Sequence, residues 1–155
     1  MQLLLISANV EKLPDPVAPL GLAYLSAALK YQGHGVHCLD LCFEENIEEA
    51  LDKSLLNSAP EAIGLSLRNV DNVSYPHTVS YLPFYKRLVE RCRQLSPAPI
   101  FLGGSGFTLM PEAILQNLDA DGGIVGEGEE AFPKALAALA GDSSLPIEGL
   151  IDRHS

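Results

Sequence analysis

The sequence predicts an α/β domain: a doubly wound, five-stranded parallel sheet with helices on both faces. Three observations carry this. Short apolar runs alternate with segments whose apolar residues recur every three or four positions, the spacing of one helix face. The short runs are apolar throughout rather than at every second residue, as in strands buried on both sides. Strand and helix patterns also alternate along the chain, which calls for right-handed crossovers between parallel strands.

The first strand is "LLLIS" (3–7). "ANVEKLPDPVAPLG" (8–21) follows, where prolines hold an extended loop and Pro19 presets φ for the first turn of a helix carrying Leu22, Leu25 and Leu29. "VHCLDL" (36–41) is the second strand, and Ile47, Ala50, Leu51 and Leu55 mark the next helix. "AIGLSL" (62–67) is the third; the connection after it, "RNVDNVSYPHTVSYLP" (68–83), exceeds the usual length of a strand-to-helix loop and so reads as functional or mobile. Phe84, Leu88, Cys92 and Leu95 form a helix face before "PIFLGG" (99–104). Ile114, Leu115 and Leu118 precede "GGIVG" (122–126), and Phe132, Leu136 and Leu139 close the series. With five strands the expected order is the flavodoxin-like, Rossmann-like 2-1-3-4-5, in which ligands bind beyond the carboxyl ends of the strands. The domain is expected to span 1–142. Residues 143–155 read as a linker whose short apolar run either pairs at the sheet edge or leads into a further domain.

The chain has 155 residues, 47% of them hydrophobic, the size of one domain with a real core. Ten Lys and Arg against 20 Asp and Glu give a net charge of −10, which disfavours nucleic acid and anionic membrane as partners. "MQLLLISANV" has no basic leader region, and no apolar run reaches about 18 residues, so a cytoplasmic location is expected. Cys38, Cys42 and Cys92 are odd in number and lie in apolar periodic segments, so they are read as reduced, buried thiols.

Familiar chemical motifs are missing. The first turn lacks G-x-G-x-x-G, no G-x-x-x-x-G-K-[ST] occurs, and "GLSLR" puts Arg68 where a nucleophile elbow needs its second glycine. Cys38 and Cys42 have no third cysteine at cluster spacing. His34, at a helix-to-strand turn, reads as an imidazolium at the carbonyl end of the helix dipole, and His77 as a solvated loop residue. No catalytic residue and no metal ligand is assigned.

What remains is an ordered set. "PDPVAPLGLAYLSAALKYQGHGVHCLDL", "IGLSLRN", "FLGGSGFTLMPEAIL" and "DADGGIVGEGEEAFPKAL" together resemble the cobalamin-binding domain at the N-terminus of B12-dependent radical SAM enzymes, over roughly residues 2–140. The resemblance implies a glycine-rich platform for the corrin and a slot for its nucleotide tail. It assigns cofactor contacts to Val17, Ala18, Leu20 and Gly21; to Ser66, Leu67, Arg68 and Asn69; to Gly103, Gly104, Ser105 and Thr108; and to Gly126, Glu127 and Gly128. Gly103 and Gly104 would be bare because the tail passes against their backbone. Thr108 would offer its hydroxyl to that tail.

The chain departs from methionine-synthase-type domains, which carry D-x-H-x-x-G after strand one; here "VEKLPDPVAPLG" contains no histidine. Base-off cobalamin without a protein imidazole is therefore expected. The C-x-x-x-C-x-x-C motif of radical SAM enzymes is absent, so the iron-sulfur cluster and S-adenosylmethionine are expected only in a catalytic domain elsewhere in a longer chain. The alternative reading is a degenerate domain that has lost corrinoid and serves as a protein-interaction module.

Overall fold

A computed structural model describes residues 1–141 and 147–152. In chain order the elements are β1 Gln2–Ser7, α1 Leu20–Tyr31, β2 Gly35–Asp40, a 3-10 turn Leu41–Phe43, α2 Ile47–Ser58, β3 Ala62–Ser66 and α3 Leu82–Leu95. There follow β4 Ile100–Gly103, a short α4 Ser105–Leu109, α5 Pro111–Leu118, β5 Gly122–Ile124, α6 Gly128–Leu139 and β6 Leu150–Asp152. The sheet order is β2-β1-β3-β4-β5-β6. All five expected strands are present in the expected order, and their neighbours are parallel.

The sixth strand corrects the expectation of a purely parallel, five-stranded sheet. Leu150–Asp152 pairs antiparallel with β5, Ile124 opposite Leu150 and Gly122 opposite Asp152. β5 is only three residues long, and the late apolar run covers an edge that would otherwise be open. Ile147 is buried beside it. Thus much of the segment expected to be a linker packs on the sheet, while 142–146 and 153–155, including His154, lie outside the described residues.

Both sheet faces are covered. Leu4, Ile6, Ile63, Leu65 and Leu102 pack beneath α2, α3, α4 and α5, while Leu3, Leu5, Phe101 and Ile124 pack beneath α1 and α6. Alternate residues of β1 therefore enter different cores, which is why its whole sequence is apolar. β2, at the edge, is less covered: His37 and Cys38 are exposed. Cys38 is thus not a core thiol, whereas Cys42 and Cys92 are buried, and all three are free. No helix among the described residues is long and apolar enough to cross a membrane.

His34 also differs from expectation. Its backbone N–H donates to Leu29 at 3.1 Å and closes α1, but its Nδ1 is buried without a partner. Burial lowers its pKa, so the ring is favoured neutral rather than as an imidazolium.

On the opposite helical layer, Arg91 of α3 forks onto Asp52 of α2, Nε donating to Oδ1 at 2.8 Å and Nη2 to Oδ2. The Arg91 hydrogen bond holds the Asp52 carboxyl below its ordinary value of 3.8. A lowered folded-state pKa adds stability that is present above the unfolded value and lost as pH falls through the folded one. Arg91→Met should therefore lower the urea midpoint at neutral pH, and its deficit relative to the wild type should shrink as pH drops below 3.8. A deficit that does not change with pH would rule out the ion pair as its source.

Candidate functional site

The carboxyl ends of β1, β3 and β4 open onto a cavity of about 750 Å³. It lies where the strand order reverses, between β1 and β3, the usual ligand position in doubly wound sheets. Its base is built from two rows of neighbouring strand residues on one sheet face. The upper row is Ser7, Ser66 and Gly103; two residues lower run Leu5, Gly64 and Phe101. Leu22 and Leu25 of α1 and Phe132 of α6 wall the lower part. Phe101 and Phe132 meet edge to face with centroids 5.4 Å apart. The cavity is therefore a slot that descends from the sheet edge between α1 and α6.

Gly64, Ser66 and Gly103 are only half-buried although β3 and β4 are interior strands, because the cavity opens above them; at Gly64 the place of a side chain is taken by Leu5 and Phe132. The Ser66 hydroxyl has no protein partner among the described residues. The Asn9 amide lies at the slot's edge but is tied to the backbone of Glu11, at 3.3 and 3.4 Å.

Most residues expected at a cofactor site do line this cavity. Val17, Ala18, Leu20 and Gly21 come from the proline-rich loop and the start of α1; Ser66 and Arg68 from the end of β3; Gly103, Gly104, Ser105 and Thr108 from β4 and α4; Gly126, Glu127 and Gly128 from the turn into α6. Leu67 and Asn69 do not. Leu67 follows Ser66, so it points to the other face and is wholly buried in the opposite core. Asn69 is held away by its carbonyl, which accepts the Tyr85 hydroxyl at 2.7 Å. His77 sits on the exposed hairpin-like loop closed by the Asp71–Ser80 bridge, and no described residue lining the cavity is a histidine. Among the described residues no group of three or more His, Cys, Asp or Glu could hold a metal ion.

The glycines of "GGSGF" divide by cause. A Cβ on Gly104 would lie 2.7 Å from the Leu67 carbonyl oxygen, and its φ of +92° with ψ of 171° is a conformation essentially reserved for glycine. A Cβ on Gly106 would lie 3.0 Å from the backbone of Arg68 and Asn69. Both are bare because the β3 and β4 loops press together, which corrects the expectation that Gly104 is bare for a ligand. Gly103 is different: its added Cβ would meet only the Ile124 carbonyl oxygen, at 3.8 Å. Its bareness serves the cavity.

Hydroxyls hold that wall in place. Ser105 Oγ donates to the Arg68 carbonyl at 2.9 Å. Thr108 Oγ1 donates to the Gly104 carbonyl at 3.1 Å and accepts the Gly126 N–H at 3.1 Å, joining the β4 and β5 turns. Thr108 is thus already engaged within the protein rather than waiting for a tail.

The opposite wall hangs on one acid. The Glu11 carboxylate accepts the Leu13 N–H at 3.2 Å and the Tyr81 hydroxyl at 2.8 Å, linking the loops after β1 and β3. Burial, and then the adjacent Glu11, push the Tyr81 phenol up to about 12, so it stays a donor; the Tyr81 hydrogen bond in turn holds Glu11 below its ordinary value. Tyr81→Phe should free the loop, accelerating tryptic cleavage after Lys12 roughly three- to ten-fold without changing global stability. Unaltered cleavage would show that the clasp does not restrain the loop.

Gly64, Ser7, Phe101 and Phe132 were not expected at the site. The signal in the sequence was Gly64: a glycine inside a buried strand marks close approach, here by the Leu5 and Phe132 side chains that line the slot.

An α/β domain with a slot at its switch point, rimmed by glycine and hydroxyl, belongs to the doubly wound class that takes its ligands beyond the carboxyl ends of the strands. A family model described as "B12 binding domain" matches residues 6–136, and the chain belongs to that family, whose ligand is cobalamin. It is 31% identical over 147 residues to tryptophan 2-C-methyltransferase of Streptomyces laurentii, covering 92% of this chain and 24% of that protein. The structure of the radical S-adenosylmethionine methyltransferase TsrM from Kitasatospora setae, with cobalamin and a [4Fe-4S] cluster bound, is 30% identical, with a TM-score of 0.87 over 97% of this chain and 26% of that one. The cobalamin-dependent S-adenosylmethionine radical enzyme OxsB shares the fold, at 21% identity and a TM-score of 0.76 over 96% of this chain and 20% of that one. The chain thus spans about a quarter of the length of the relatives it matches. The residues present fit a corrinoid: a bare Gly103 leaves volume at the cavity mouth, and Ser66 offers an unused hydroxyl.

Proposed function

We propose that this domain binds cobalamin base-off, with the nucleotide tail in the slot between α1 and α6, and presents it to a radical SAM domain of a longer chain for methyl transfer or related radical chemistry. The observation that carries this is the half-buried Gly64–Ser66–Gly103 surface within an otherwise closed sheet. When bound, the corrinoid supplies a redox-active cobalt able to relay one-carbon groups.

The chain's own residues bind and orient. Ser66 offers a hydroxyl to the tail, and Gly103, Gly126 and Gly128 keep the mouth open beside it. Val17, Ala18 and Leu20 lie at the mouth and provide an apolar surface for the lower face of the ring. That loop has no imidazole, so the lower face meets side chains or water rather than a protein nitrogen. In this reading an iron-sulfur cluster and S-adenosylmethionine, present respectively in the TsrM and OxsB structures, are bound outside these residues.

Hydroxocobalamin tests the reading directly. After incubation and desalting, the protein should stay pink and keep its corrin absorbance at one equivalent per chain. A colourless protein would favour the alternative of a corrinoid-free interaction module.

A further inference from the structure

The lower half of the slot differs in chemistry from its rim. Below the Ser7–Ser66–Gly103 row, the buried side chains facing the cavity are Leu5, Leu22, Phe101, Ile124 and Phe132, each 7% exposed or less, and all present carbon only. Gly64 lies half-buried on the floor between them, with Leu5 and Phe132 packed into the place of its side chain: an added Cβ would lie 2.8 Å from a Leu5 methyl and 3.6 Å from the Phe132 ring. The strand amides and carbonyls at this depth are used in the sheet ladder. On the strands beneath the cavity the polar side chains are the serines one row higher, and the amide of Asn9 beyond them is already bonded to Glu11. A flat ring pushed down to Gly64 would therefore find hydrogen-bond partners only at the end that stays beside the serines.

We infer that this slot selects the lower base of the corrinoid, taking an apolar benzimidazole-type base and rejecting purines. This rests on the reading that the nucleotide tail enters the slot. A benzimidazole confines its nitrogens to one end and presents hydrocarbon at the other. Adenine carries ring nitrogens and an amino group on its six-membered ring as well, and these would be stripped of water without replacement. Each buried, unpartnered polar group of that kind weakens binding by about ten-fold or more. The hydrocarbon floor around Gly64 thus sets which ring is admitted.

Equilibrium dialysis of the 155-residue chain against three corrinoids tests this. They are cobalamin, the cobamide bearing adenine as lower base, and cobinamide, which has no nucleotide. Cobalamin should bind at least ten-fold tighter than either of the others. An adenine cobamide held within ten-fold of cobalamin overturns the selectivity, and cobinamide bound as tightly as cobalamin shows that the slot does not receive the base at all; both leave corrinoid binding itself standing. If none of the three is retained, the proposed function fails and takes this inference with it.

Discussion

Gly103→Leu should abolish cobalamin retention while leaving the domain folded. The position is not in a left-handed conformation, and an added Cβ would make only an ordinary contact, 3.8 Å from the Ile124 carbonyl oxygen. A leucine can therefore be built without moving the backbone, and its branched end enters the cavity beside Ser66. Forcing a ligand past extra methyl groups in a fitted site costs about 1–3 kcal/mol and often more, so cobalamin binding should weaken by roughly 100-fold. The thermal midpoint without ligand should shift by no more than about 2 °C, since surface-like changes away from core contacts are nearly neutral. Circular dichroism and dialysis on the same preparation separate the two effects. A variant that binds as tightly as the wild type would mean that the tail does not pass Gly103.

The neighbouring substitution should do the reverse. Gly104→Ala places a methyl 2.7 Å from the Leu67 carbonyl oxygen and 3.1 Å from the Leu67 nitrogen, and demands a φ of +92° that alanine disfavours. The strained conformation alone costs about 1–3 kcal/mol, and the clash is with backbone that cannot rotate away. A loss of about 3 kcal/mol, or roughly 6–12 °C in thermal midpoint for a domain of this size, is expected with or without ligand. Equal stability of Gly104→Ala and the wild type would overturn the assignment of Gly104 to loop packing. Two adjacent glycines thus divide the work, one shaping the cavity and one closing the loop.

Much of this was legible in the sequence. The strands could be placed because burial on both faces makes each an unbroken apolar run, and the helices because their apolar residues repeat every three or four positions. The direction of β6 could not be read: "GLIDR" shows that an apolar strand needs a partner, but only the pairing with β5 shows that it runs antiparallel. The proline-rich loop and the two glycine turns were recognisable as cavity walls because their composition is unusual for connections. Leu67 and Asn69 were drawn in by proximity to Ser66, although the two-residue alternation of a strand turns Leu67 to the other side. Gly64 was overlooked for the opposite reason, as it sat inside a run that otherwise reads as an ordinary strand.

The two walls of the slot are unequally fastened. On one, Phe107 is wholly buried and lies over the bare backbone of Gly123, where a Cβ would collide with its ring, and Thr108 stitches that helix to Gly126. On the other, residues 12–18 are exposed along their whole length. Arrival of a guest should accordingly freeze motion almost entirely on the proline side, and the two prolines there, Pro14 and Pro16, have already narrowed what can be lost. One side of the receptor is thus braced and the other is not, so replacing those prolines with alanine should slow capture more than it hastens escape.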